Sequence, residues 1–188
     1  MLPRYSKKSD QAGPFNENMP EVISSLPNKI NEEEVEEKEE EKEILNISEV
    51  INKSGYSIHG DFLVNIKIGE TAVDALGKLK STSEEISVEI IRGENSIYSK
   101  EALATNDIVK IKVGETEYTF RVIIYGDVNG DSKISAVDYV NIKNYIMSSS
   151  GLNGSYKEAA DVNKDSKISA VDYVNVKNYI MGNESVLN

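Results

Sequence analysis

The sequence predicts a small α+β module followed by an all-α segment built from two duplicated loop-plus-helix units. Three observations predict it. Residues 1–45 carry charge and proline but no apolar periodicity, so they form no layer of a core. Between residues 46 and 125, apolar residues alternate with period two around a single capped helical stretch. Beyond that, Gly126–Met147 reads GDVNGDSKISAVDYVNIKNYIM and Ala160–Met181 reads ADVNKDSKISAVDYVNVKNYIM, differing only at Gly126/Ala160, Gly130/Lys164 and Ile142/Val176. Near-identity at a constant offset (161 − 127 = 34) is a duplication. The expected organisation is a disordered acidic linker at 1–45, a module at 46–125, the duplicated segment at 126–182 and a tail at 183–188.

The linker expectation rests on Pro14, Pro20 and Pro27, followed by the acidic block Glu32–Glu43, which repels itself and stays solvated. Met1–Lys8 is positively charged, but no apolar run follows it, so it does not read as a secretory signal. Across all 188 residues, 32 acidic against 21 basic side chains give a net charge of −11. That balance argues against nucleic acid and anionic membranes as partners, and the expectation is a chain that is monomeric when free and does not insert into a bilayer. There are no cysteines. One histidine, His59, and no Gly-rich phosphate loop leave the usual metal, nucleophile and nucleotide constellations unformed, so no catalytic residue is assigned.

In the module, Asn46–Ile51 reads as a short strand or turn and Gly60–Ile66 as a strand edge. Thr71 and Asp74 stand in a capping-box relation, and Val73, Leu76 and Leu79 supply the apolar face of a helix. Ile86–Ile90 alternates as a strand, while Ile108–Val113 and Glu117–Val122 form a hairpin across Gly114-Glu115-Thr116.

In the duplicated segment, oxygen-bearing residues recur at positions 1, 3, 5, 9 and 12 of a twelve-residue loop. They are Asp127, Asn129, Asp131, Ser135 and Asp138, then Asp161, Asn163, Asp165, Ser169 and Asp172, with the carbonyls of Lys133 and Lys167 at position 7. A hard cation such as Ca²⁺ takes about six to eight oxygens at roughly 2.3–2.6 Å, and this spacing supplies them, so two Ca²⁺ are expected. Position 12 is Asp where an EF-hand has Glu, which brings the exit helix closer to the ion. Position 6 is Ser132 or Ser166 where an EF-hand has Gly, which requires a non-glycine residue at positive φ. The first loop follows the β-branched run Phe120–Tyr125, so it has an exit helix but no entering one; Tyr156–Ala160 is expected to enter the second. On the exit helices, Tyr139, Ile142, Ile146 and Tyr173, Val176, Ile180 are expected to pack the repeats together, aided by Ile134 and Ile168. Ala136, Val137, Val140 and Asn144, with Ala170, Val171, Val174 and Asn178, lie on an adjoining face and make a candidate partner surface.

On these residues, the stretch from about Tyr125 to Met181 resembles a type I dockerin, the two-loop calcium module by which secreted polysaccharide-degrading enzymes dock onto cohesins of cellulosome-like scaffolds. The resemblance implies that cohesin choice is set at loop positions 10, 11, 17 and 18. These are Ala136, Val137, Lys143 and Asn144 in the first copy and Ala170, Val171, Lys177 and Asn178 in the second. The pair at 10 and 11 differs from Ser-Thr and is closer to small-plus-aliphatic variants. The order of elements in 46–125 loosely resembles the β-grasp-like accessory modules that precede clostridial dockerins. The resemblance thus implies a non-catalytic docking protein, extracellular or at the cell surface. Two other readings stand beside it: the C-terminal piece of a glycoside hydrolase, and an EF-hand calcium sensor, which the lack of a Met-rich groove disfavours.

Overall fold

The computed structural model describes residues 46–183 and Leu187, which cluster as one compact unit. The expected linker at 1–45 and most of the expected tail at 183–188 lie outside the described residues.

Among the described residues the elements follow in order: α1 (Ile47–Lys53), β1 (Ser57–His59), β2 (Phe62–Val64), α2 (Ala72–Lys80), β3 (Ile86–Arg92), β4 (Asn95–Ser96), β5 (Ile108–Val113), β6 (Thr116–Val122), α3 (Ala136–Ser148), α4 (Gly154–Ala160) and α5 (Ala170–Ile180). The strands form one mixed sheet in the order β1-β2-β6-β5-β3-β4, in which only β2 and β6 run parallel. Strand β3 buries Ile86, Val88 and Ile90 on one face, the period-two pattern of a half-buried strand. The hairpin β5–β6 closes over the two residues Gly114 and Glu115, one fewer than expected, since Val113 already pairs with Thr116. Gly114 sits at φ +59°, as such a tight turn requires.

Two local expectations are corrected. Residues 47–53 are helix rather than strand: the Asn46 side chain caps Ser48 N at 2.9 Å, Glu49 pairs with Lys53 at 3.0 Å, and Val50 and Ile51 are fully buried. Helix α2 is capped by Thr71 as expected, but its buried face is Ala72, Ala75, Leu76 and Leu79. That i, i+3, i+4, i+7 set leaves Val73 about 100° away and exposed. Strands β1 and β4 were not anticipated, being too short to show a period.

The fold-class expectation is corrected as well. The described residues fold as a six-stranded mixed sheet with five helices, and the C-terminal segment is no all-α layer of its own. Its helices offer few large buried side chains. The cluster formed by Val128, Ile142, Ala159, Ala160, Val162 and Val176 is completed by Val64 and Ile123 from the sheet side, with Phe62 packed against it. The larger core, including Leu63, Leu79, Ile90, Leu103, Ile111 and Val122, lies among the sheet, α1 and α2.

Candidate metal centre and docking face

Each loop is built from Asx turns before any ion is considered. In the first, Asp127 Oδ1 accepts from Gly130 N at 2.7 Å and Asp131 N at 3.2 Å, and Oδ2 accepts from Ser132 N at 3.2 Å. In the second, Asp161 Oδ1 accepts from Asp165 N at 3.1 Å and Oδ2 from Ser166 N at 2.7 Å. Asn129 and Asn163 each accept from the backbone two residues on and donate to Asp131 or Asp165. Ser132 and Ser166 both lie at φ +68°, the left-handed backbone that their loop position demands.

Positions 9 and 12 are joined by helix capping. Ser135 and Ser169 cap α3 and α5, and Asp138 and Asp172 return to accept from the Ser135 and Ser169 N–H groups at 2.8 Å. Their other carboxylate oxygens reach across the loops, to Val128 N at 3.0 Å and Asn163 N at 3.1 Å. The closing carboxylates thereby fix loop and exit helix in one geometry. The side chains of Lys133 and Lys167 are exposed.

The electrostatics favour a cation. Asp127, Asp138 and Asp172 are fully buried, and no described lysine or arginine forms an ion pair with any of them. Burial raises the Asp127, Asp138 and Asp161 carboxyls above the ordinary range, against the opposing pull of their backbone hydrogen bonds. No three carboxylates or histidines gather as an ion-holding group among the described residues. The donor set is instead mixed, with amide, hydroxyl and carbonyl oxygens beside the carboxylates, and an all-oxygen set of this kind suits calcium.

On the exit helices, Ile142 and Val176 are fully buried at equivalent positions, and Ile134 and Ile168 pack against the same cluster. The rings of Tyr139 and Tyr173 stack with centroids 4.1 Å apart, and their hydroxyls hydrogen-bond to each other. Ile146 and Ile180 correct the expectation of a longer seam: both are exposed, because the cluster ends one turn earlier. The face carrying Ala136, Val137, Val140, Lys143 and Asn144 is exposed in the first copy. In the second, Ala170, Val171, Val174 and Lys177 are exposed and Asn178 is half-buried.

Residues 125–181 match the family described as the dockerin type I domain. This segment is a type I dockerin. No curated protein and no solved structure matches the chain. The family match begins at Tyr125 and does not reach the preceding module, so the β-grasp likeness gains no support from it. Type I dockerins bind calcium, consistent with the oxygen-rich loops, and they are non-catalytic modules that bind cohesins.

Sequence reasoning missed one set of residues at the dockerin. Thr105 N donates to Asp127 Oδ2 at 3.0 Å, Thr105 Oγ1 bridges the Ile124 backbone, and Ser132 Oγ donates to the Ala102 carbonyl at 3.0 Å. The one signal available was the difference between Gly130 and Lys164 in otherwise near-identical loops.

Proposed function

We propose that the chain is a calcium-dependent docking protein that binds a cohesin through α3 or α5, with one Ca²⁺ in each loop. The observation that carries this reading is a matched pair of exposed apolar stripes. Val137 and Val171 are 53% and 52% exposed, and Val140 and Val174 are 46% and 45% exposed. Valines left in water at equivalent places on two helices make a surface fit for a partner.

The two ions would be held by Asp127, Asn129, Asp131, Ser135, Asp138 and the Lys133 carbonyl, and by Asp161, Asn163, Asp165, Ser169, Asp172 and the Lys167 carbonyl. Neutralising the buried carboxylates would fix the angle at which each exit helix leaves its loop. Tyr139 stacks on its own counterpart Tyr173, which places these equivalent residues near the axis relating the two copies. A half-turn about that axis exchanges the two valine stripes, so a partner that engages mainly one helix has two nearly equivalent ways to dock. Ala136, Lys143, Asn144 and their counterparts Ala170, Lys177 and Asn178 would set which cohesin is accepted. By the same reading the chain works outside the cell or at its surface, anchoring a polysaccharide- or glycan-degrading enzyme or a surface protein to a scaffold. No helix among the described residues is long and apolar enough to cross a membrane.

The test is capture of the full chain on a panel of immobilised cohesins, in calcium and in chelator. Capture by at least one cohesin in calcium, lost on chelation, is expected. Capture by none, or capture indifferent to chelation, contradicts the reading.

A further inference from the structure

The two calcium loops share nearly all their residues but not their surroundings. The first is braced from outside by the segment Ala102–Asp107, which is itself held rigid. Arg92 donates to both carboxylate oxygens of Asp107 at 2.8 and 2.6 Å and to the Ala102 carbonyl at 2.8 Å. Asp107 is buried and also accepts from Ala104 N at 2.8 Å, while its own carbonyl accepts from Val122 N at 2.8 Å. A bidentate guanidinium–carboxylate pair with backbone bonds on either side allows this segment little freedom.

From that support, Thr105 N adds a fourth donor to Asp127, and the Ala102 carbonyl receives the Ser132 hydroxyl. Asp161 has two backbone donors against four for Asp127, and Ser166 is exposed. The brace also accounts for a difference between the copies. A Cβ on Gly130 would lie 2.8 Å from the Thr105 carbonyl and 3.1 Å from the Tyr156 ring. Backbone conformation does not explain glycine there, since Lys164 adopts φ +61° at the matching position, close to the +71° of Gly130. What excludes a side chain at 130 is the close approach of the Thr105 segment.

We infer that Ala102–Asp107 positions the first calcium loop, with Thr105 and the Ala102 carbonyl as positioning groups, so that the first loop binds calcium more tightly than the second. A loop already ordered loses less freedom when the ion arrives. This inference rests on the calcium-dependent reading above.

The test is a Ca²⁺ titration of the full chain, with the amide resonances of Gly130 and Ser132 reporting the first loop and those of Asp165 and Ser166 the second. The first loop is expected to fill at a calcium concentration lower by about tenfold or more. Gly130→Lys should narrow the gap to about threefold or less by pushing the loop off its brace. A matched pair guards against misfolding: Ser132→Ala should weaken the first loop by more than Ser166→Ala weakens the second, since only Ser132 loses a bond to the brace. A general stability effect would move both loops together. Equal filling of the wild-type loops, tighter binding at the second, or a gap untouched by Gly130→Lys and Ser132→Ala overturns the inference and leaves the docking reading standing. Absence of calcium binding at both loops overturns the two together.

Discussion

The two repeats are alike where a partner would touch them and unlike where an ion would sit. Their valine stripes are exposed to the same degree, and Ile142 and Val176 are equally buried. Yet Asp127 is fully buried while Asp161 is only half-buried, and only the first loop is bonded to Ala102 and Thr105. A duplicated sequence fixes the loop chemistry of both copies, but the first copy emerges directly from β6 and the second from α4. Position in the chain, more than the three differing residues, makes the environments differ.

The largest expected effect that would break this comparison is on the fold. Six aspartates, three to a loop, repel one another without an ion, and the cluster beneath them is small. Chelation is expected to remove most of the helical circular dichroism of α3 and α5. Hydrogen exchange should open amides around Asp161–Ser169 before those around Asp127–Ser132, with β5 and β6 still protected. Equal protection with and without calcium would leave the ion no structural role, and simultaneous opening of both loops would erase the difference between them.

A smaller effect concerns pH. Burial raises the Asp127, Asp138 and Asp161 carboxyls in the metal-free fold. Because the folded values lie above the unfolded ones, stability from these groups is present in acid and is lost as pH rises through the raised values. The metal-free chain should therefore gain thermal midpoint as pH falls from about 7 toward about 4.5, while the calcium-loaded chain loses its advantage because protons compete with the ion. Thermal scans at several pH values in calcium and in chelator should converge toward acid. A gap that widens toward acid would contradict this account.

Much of the molecule was legible because its signals are local. The loop spacing announces oxygen ligands, Thr71 announces a helix start, and the alternation in Ile86–Ile90 announces a strand. A serine at position 6 implies a non-glycine residue at positive φ, and both Ser132 and Ser166 lie at φ +68°. What escaped was non-local. That the dockerin completes its core with Val64 and Ile123 depends on the parallel pairing of β2 with β6, which no period in the sequence encodes. Thr105 stands 22 residues before the carboxylate it supports, so no spacing rule could join them. Helix α1 was missed because seven residues are too few to show a helical period.

The most direct measurement of the central claim, that either exit helix can carry the partner, is calorimetric binding of the captured cohesin to three variants in calcium: Val137→Asp, Val171→Asp and the double change. Each single change is expected to shift affinity by no more than about threefold, since the untouched copy still binds. The double change should lose several kcal/mol, because a carboxylate then enters the interface unpaired in both orientations. If one single change abolishes binding as fully as the double, the repeats are not interchangeable and the claim is wrong.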